Sequence, residues 1–255
     1  MFKRPIHNIL TGLGMLGVFL VGWWCWYVFD GSDKAEQRAM EAAQEYVNVT
    51  YPDLSLHVKD VMYLSLYDPK YYVTMASDAS VDTEFLVRIT RSGQVVDDSY
   101  EEDVASMHNT YQRISEAYEV AVQQAVAPAF SNRIDVMTEL SDSAWRDDVA
   151  HGDEFTDLQL DQAVDLEFYG ARYGILFLHA KDDSYTYDDV TALLRDVKRV
   201  ADENEIPFHS VTLQITIDGN EHYAEGILYS DLESPHLLAR LKQRMNDQKG
   251  SSGNG

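Results

Sequence analysis

The chain has 255 residues, 43 acidic against 20 basic side chains, a net charge of −23 and a single cysteine. A chain so short of Lys and Arg cannot neutralise a phosphate backbone, which excludes nucleic acid as a partner and disfavours flat contact with anionic lipid headgroups. With Cys25 alone there is no intramolecular disulfide, so stability must come from core burial.

Residues 1–8 carry Lys3 and Arg4 and are expected in the cytoplasm. Ile9 to Phe29 is an almost uninterrupted apolar run without a charge. At 1.5 Å per residue it reaches roughly 31 Å, the hydrocarbon thickness of a bilayer. Trp23, Trp24, Trp26 and Tyr27 cluster at its far end, where amphipathic rings settle among headgroups, and Asp30 and Asp33 follow. The positive-inside bias therefore predicts a single-pass signal anchor over 9–29, with the rest of the chain extracytoplasmic. The run is longer than a signal-peptide core and ends in bulky aromatics, not in the small residues of a cleavage or lipidation site.

A first α+β domain is expected over 33–127. It opens with a helix whose apolar face is Ala35, Ala39, Ala42, Ala43, Tyr46 and Val47, stopped by Pro52 and Asp53. Leu54, Leu56 and Val58 alternate, and the phase shifts at Lys59–Asp60 before Val61 and Tyr63, the mark of a bulge. Two more strands follow the Asp68–Pro69 turn, through Tyr71, Val73 and Met75 and through Phe85, Val87 and Ile89, with Ser92–Gly93 as the next turn. A helix with Tyr111, Ile114, Tyr118, Val122 and Ala125 on one face closes the domain.

Pro128 marks a boundary, and a second α+β domain is expected over 129–246. Arg133 to Leu140 and Leu158 to Phe168 read as strands around a polar loop at Asp142 to Asp157. Ile175 to Ala180 reads as a further strand. A helix follows with Val190, Leu193, Leu194, Val197 and Val200 inward, begun by a capping arrangement of Thr186 and Asp189. Val211 to Ile217 alternates cleanly, Asp218–Gly219 predicts a hairpin, and Tyr223 to Tyr229 returns. Ser234 with Pro235 reads as the start of a last helix carrying Leu237, Leu238, Leu241 and Met245. The Gly/Ser-rich tail at 247–255 is expected to be disordered. Both sheets are expected to be antiparallel and partly covered by helices.

The segments "YVNVTYPDLSLHVKDVMY", "YYVTMASD", "DTEFLVRITRSGQVVDDSY" and "NTYQRISEAY", behind one anchor, resemble the YfjL-like family of uncharacterised Gram-positive bacterial proteins. The resemblance implies a two-domain, membrane-anchored protein and brings no catalytic residues. The helix and strands ending in "VRITRSGQVV" are also similar to PepSY-type modules, which implies protease inhibition or ligand binding as an alternative; the helix from His108 and the acidic run after Val96 depart from that pattern.

Asp97, Asp98, Glu101, Glu102 and Asp103 form the densest acidic cluster, and carboxylates of this kind suit Ca²⁺. The spacing lacks the alternating ligands and glycine of a calcium loop, and acids gather at helix starts for electrostatic reasons. The same reading holds for Asp182–Asp183 and Asp188–Asp189. His57, His108, His151, His179, His209, His222 and His236 are scattered without the helical pairing of a zinc site. No nucleophile elbow and no phosphate-cradling glycine loop is present. No catalytic, cofactor or metal residue is therefore assigned. The expected function is a noncatalytic, membrane-anchored envelope module with a protein or peptide partner.

Overall fold

The structure is a computed structural model that describes residues 33–64, 69–140, 158–181, 185–217 and 219–251, together with Phe19 and Gly22, with side chains as far as Met245. The chain is α+β, with two four-stranded sheets. It divides into two units, Met1–Asn109 and Thr110–Gly255. Among the described residues no helix is long and apolar enough to cross a membrane. The run at 9–29 lies outside them apart from Phe19 and Gly22, as do residues 1–8, the loop from Asp142 to Asp157, and Asp182–Asp183.

The first unit is a helix laid on a meander. Helix α1 (Asp33–Thr50) buries Ala35, Ala39, Ala43 and Val47. These small side chains let it lie close against strands β1 (Leu56–Leu64), β2 (Lys70–Ser77), β3 (Ser80–Thr90) and β4 (Val95–Asp98), which follow one another in sheet order. Every pairing is antiparallel. The facing core is Tyr71, Val73 and Met75 on β2 and Phe85, Val87 and Ile89 on β3, all buried. The register of β1 shifts between Val58 and Asp60, at the phase change legible in the sequence. That bulge puts the charged pair Lys59–Asp60 in the middle of an edge strand, a device that discourages further pairing. Gly93 takes a left-handed φ of 87° in the turn before β4, which a side chain would strain.

A π-helical turn (Glu101–Ala105) leads to helix α2 (His108–Ala125). From sequence α2 closes a first domain at 127; in the structure it starts at the division between units and packs within the second. Its contacts there are specific: Tyr111 Oη donates to the Leu140 carbonyl at 2.9 Å, Tyr118 Oη to the Pro207 carbonyl at 2.9 Å, and Gln123 Nε2 to the Val136 carbonyl at 2.8 Å. A short helix α3 (Ala127–Phe130) turns the chain into β5 (Ile134–Leu140). The strand expected from Leu158 to Phe168 is not formed. Helix α4 (Leu166–Tyr173) begins there instead, because the Asp165 carboxylate accepts the Phe168 N–H at 2.9 Å and caps it.

The second sheet runs β5, β6 (Gly174–Ala180), β7 (Ser210–Ile217), β8 (Asn220–Leu228). It is mixed, which corrects the expected all-antiparallel sheet: β6 and β7 are parallel. Helix α5 (Tyr187–Glu203) lies between them in sequence, and a parallel pair needs a crossover of that kind. The capping box read from sequence is present, with Thr186 and Asp189 bonded reciprocally. At its other end Glu205 has a φ of 56°, the Ile206 N–H reaches the Ala201 carbonyl and the Glu205 N–H the Asp202 carbonyl, a Schellman closure. The last helix, α6 (Leu237–Ser251), starts two residues later than Pro235 predicts: Ser234 Oγ accepts the His236 N–H, and Pro235 sits in the turn. It runs on to Ser251, so the tail expected to be disordered from 247 is helical for its first five residues.

Two glycines pack closely against Tyr118. A Cβ on Gly170 would lie 2.3 Å from the Pro207 carbonyl oxygen and 2.7 Å from Tyr118 Cε2; one on Gly174 would lie 2.4 Å from Tyr118 Oη. The phenol, fully buried, therefore occupies a notch cut by two glycines four residues apart.

Candidate functional site

The acidic cluster of the first unit is pulled apart by the alternation of β4. Asp98 stands opposite buried Val87, on the helix-covered side, while Asp97 stands opposite Arg88 and pairs with it. Asp98 accepts Tyr46 Oη at 2.5 Å, Tyr51 Oη at 3.0 Å and the Tyr100 backbone N–H at 2.9 Å. Tyr46 comes from α1 and Tyr51 from just after its end, so the carboxylate ties the helix terminus to the edge strand. Tyr51 also packs against Tyr100 and Phe85, with ring centroids 4.4 Å and 5.6 Å away. The bond to Asp98, then burial, raises the Tyr46 phenol above its ordinary pKa; for Tyr51 burial leads and the Asp98 bond adds to it. Asp103 accepts Ser99 Oγ at 2.5 Å. Three of the five acids thus have internal structural work, and Glu101 and Glu102 are exposed on the π-helical turn. Among the described residues no three His, Cys, Asp or Glu side chains are grouped to hold a metal ion.

In the second unit Lys198, mostly buried on α5, contacts Asp202 at 2.7 Å and Glu233 at 3.1 Å and lies 4.3 Å from the Tyr229 ring centroid. Burial acts to lower the ammonium pKa, but bonds from Asp202, Tyr229 and Glu233 overcome it and hold the pKa well above the usual lysine value. Tyr229 Oη in turn donates to Asp202. A shallow cavity of about 320 Å³ opens here, lined by Lys198, Asp202 and Glu233 with Arg195 and Arg199. Arg199 is matched by Glu203 at 2.8 Å and Asp196 at 3.6 Å. The network straps the turn after β8 to α5, and its cations and carboxylates answer one another.

A larger groove, about 520 Å³, follows the edge of β5. Ile134, Val136 and Met137 form its strand side, Gln123, Ala127 and Pro128 flank it from the α2–α3 corner, and His179 and Lys181 close the far rim. Lys181 Nζ is held by Asp135 at 2.7 Å and by the Ser131 carbonyl at 2.8 Å. Met137 is 57% exposed. The volume lies within the range of about 300–1,000 Å³ typical of ligand sites.

The histidines stay dispersed. His179 lies on β6 in register with Asp135 and Gln214 and is exposed; His222 is buried on β8 near the Tyr187 ring. His57 faces Asp78 at 3.9 Å, and His151 lies outside the described residues. Three arrangements were not foreseen from sequence: the Asp98 phenol clamp, the Lys198 strap and the β5 groove. The clamp joins residues about fifty positions apart, which no local pattern registers.

No protein-family model matches the chain, and no curated protein is matched by it. A crystal structure of a DUF5037 family protein from Ruminococcus gnavus ATCC 29149 is similar at 12% identity, over 73% of this chain and 75% of that one, with a TM-score of 0.24. A similarity that slight carries no argument for fold or function.

Proposed function

We propose that the chain is a membrane-tethered, extracytoplasmic binding module whose second unit engages a protein or peptide. The tether rests on the apolar run at 9–29, with Lys3 and Arg4 before it and Asp30 and Asp33 after. The observation that carries the binding reading is the 520 Å³ groove at a strand edge, which combines apolar lining with hydrogen-bonding backbone. The acidic surface selects a neutral or basic partner and repels polyanions. The likeness to the YfjL-like family, in which one anchor precedes two domains, points the same way.

Two measurements test this. The full chain should stay in the membrane pellet after alkaline carbonate extraction, and protease added to intact cells should remove both units. Photo-cross-linking groups on the second unit should capture a discrete envelope partner. Release into the supernatant, or protection of the units from protease, would refute the topology; the absence of any cross-link would refute binding. The helix-on-meander order of the first unit favours a second reading, inhibition in the manner of the PepSY-type modules it resembles. Unchanged rates of an extracellular metalloprotease would dismiss it.

A further inference from the structure

We infer that the edge of β5 receives an extended segment of a partner polypeptide as a fifth strand of the second sheet; this rests on the binding reading above and specifies how the partner is held. The direction of the backbone groups follows from ladder alternation. The Arg133 carbonyl faces β6, where it accepts the Lys181 N–H at 3.0 Å. Alternate residues therefore turn their N–H and C=O away from β6. The carbonyls of Val136 and Leu140 agree, since both accept side-chain donors from α2, outside the sheet.

The two donors differ in what they leave open. Tyr111 caps the Leu140 carbonyl beyond the groove and ends the available stretch. Gln123 is exposed, lines the groove, and donates its carboxamide N–H to Val136. That is the bond an incoming strand's amide would make. Exchange of one for the other conserves hydrogen bonding, so Gln123 holds the place without blocking it. Ile134 to Met137 spans roughly 13 Å of strand, enough to pair about four residues. Because side chains alternate along a strand, those of the added segment fall in turn toward Ala127 and toward Met137, the two sides of the groove.

The occupant is thus an extended peptide whose side chains toward Ala127 and Pro128, every second one, are apolar, while the alternate ones meet Met137 among Asp135, His179 and Lys181; flanking Lys or Arg suit a chain of net charge −23. Strand addition takes its affinity from the main chain, and this sets the test. A phage-displayed heptapeptide library is selected on the full-length protein in detergent micelles, and the enriched peptides are measured by fluorescence polarisation. Enriched sequences should show the two-residue period. Methylating alternate backbone nitrogens of a binder should weaken it about tenfold or more in one phase and leave it unchanged in the other. Met137→Arg, at an exposed side chain, and Ala127→Arg should each weaken binding to a similar extent with an unchanged circular dichroism spectrum. No enrichment, methylation effects without alternation, or binding indifferent to both arginine variants would overturn the assignment. A cellular cross-link that survives Met137→Arg would also remove the β5 edge as the seat of binding, while leaving the general binding reading intact.

Discussion

Replacing Gly174 by alanine isolates the steric role of the Tyr118 notch. Gly174 has φ −68° and ψ 124°, an extended conformation open to any residue. Backbone freedom alone would make alanine stabilising by about 0.4–1 kcal/mol, through the unfolded chain. Against this, the new methyl would lie 2.4 Å from Tyr118 Oη, 2.8 Å from its Cζ and 2.7 Å from the Gly170 carbonyl oxygen. Real Cβ contacts do not come so close, and two of these three partners belong to the fully buried Tyr118 side chain. Overpacking of this kind costs about 1–3 kcal/mol, so the net effect is a loss of about 1–2 kcal/mol. Tyr118→Phe alone removes the 2.9 Å bond to Pro207 and costs about 1 kcal/mol. It also removes the worst of the alanine contacts, so the double variant should lose less than the sum of the singles. Urea unfolding followed by circular dichroism and scanning calorimetry measures all three. A Gly174→Ala variant as stable as the parent, or strict additivity with Tyr118→Phe, would show that the notch is not filled as described.

Three further outcomes follow from single sites. Glu205→Gly should stabilise the second unit by about 1 kcal/mol, because the left-handed position closing α5 suits glycine; a lower melting temperature would contradict the Schellman assignment. The phenols of Tyr46 and Tyr51 are raised in the folded state, so their contribution is complete below the ordinary tyrosine pKa and is lost as pH climbs through the folded values. Asp98→Asn should shift part of the alkaline absorbance titration downward, and superimposable curves would show that the clamp has no electrostatic effect. For Asp189 the sign reverses. The bonds from Thr186 lower its pKa, so the cap contributes above the ordinary carboxylate range and fades as pH falls through the folded value. Thr186→Ala should accordingly depress the melting temperature at neutral pH, and the difference should narrow as pH falls through the carboxylate range; a pH-independent difference would mean that the box acts without its charge.

Local patterns were the legible part of this chain. Alternation in β2, β3 and β7, the bulge at Lys59–Asp60 and the box at Thr186 each depend on neighbours within a few residues, and each stands where the sequence puts it. The misplaced strand at Leu158–Phe168 hid a helix start because Asp165 acts through one side-chain bond that periodicity does not register. Allegiance of α2 was equally hidden: its partners Leu140 and Pro207 lie far along the chain. The helix between β6 and β7 implies their parallel pairing, which the expectation of an all-antiparallel sheet overlooked. The β5 groove left no trace in sequence, since it is made by an edge and a helix corner meeting in space.

The mixed sheet also separates the two units in time. In the first, each strand pairs with the next across a short connection, so little chain entropy is lost before contacts repay it. In the second, Ile175 must wait for Ser210, and Ile134 for Ala180, before either ladder exists. Non-local closure of this sort slows folding relative to a meander. Until β7 arrives, β6 has one edge bare, and Leu176 and Leu178, buried in the finished sheet, await the rest of their core. The second unit is therefore expected to fold after the first, and aggregation to draw on that interval.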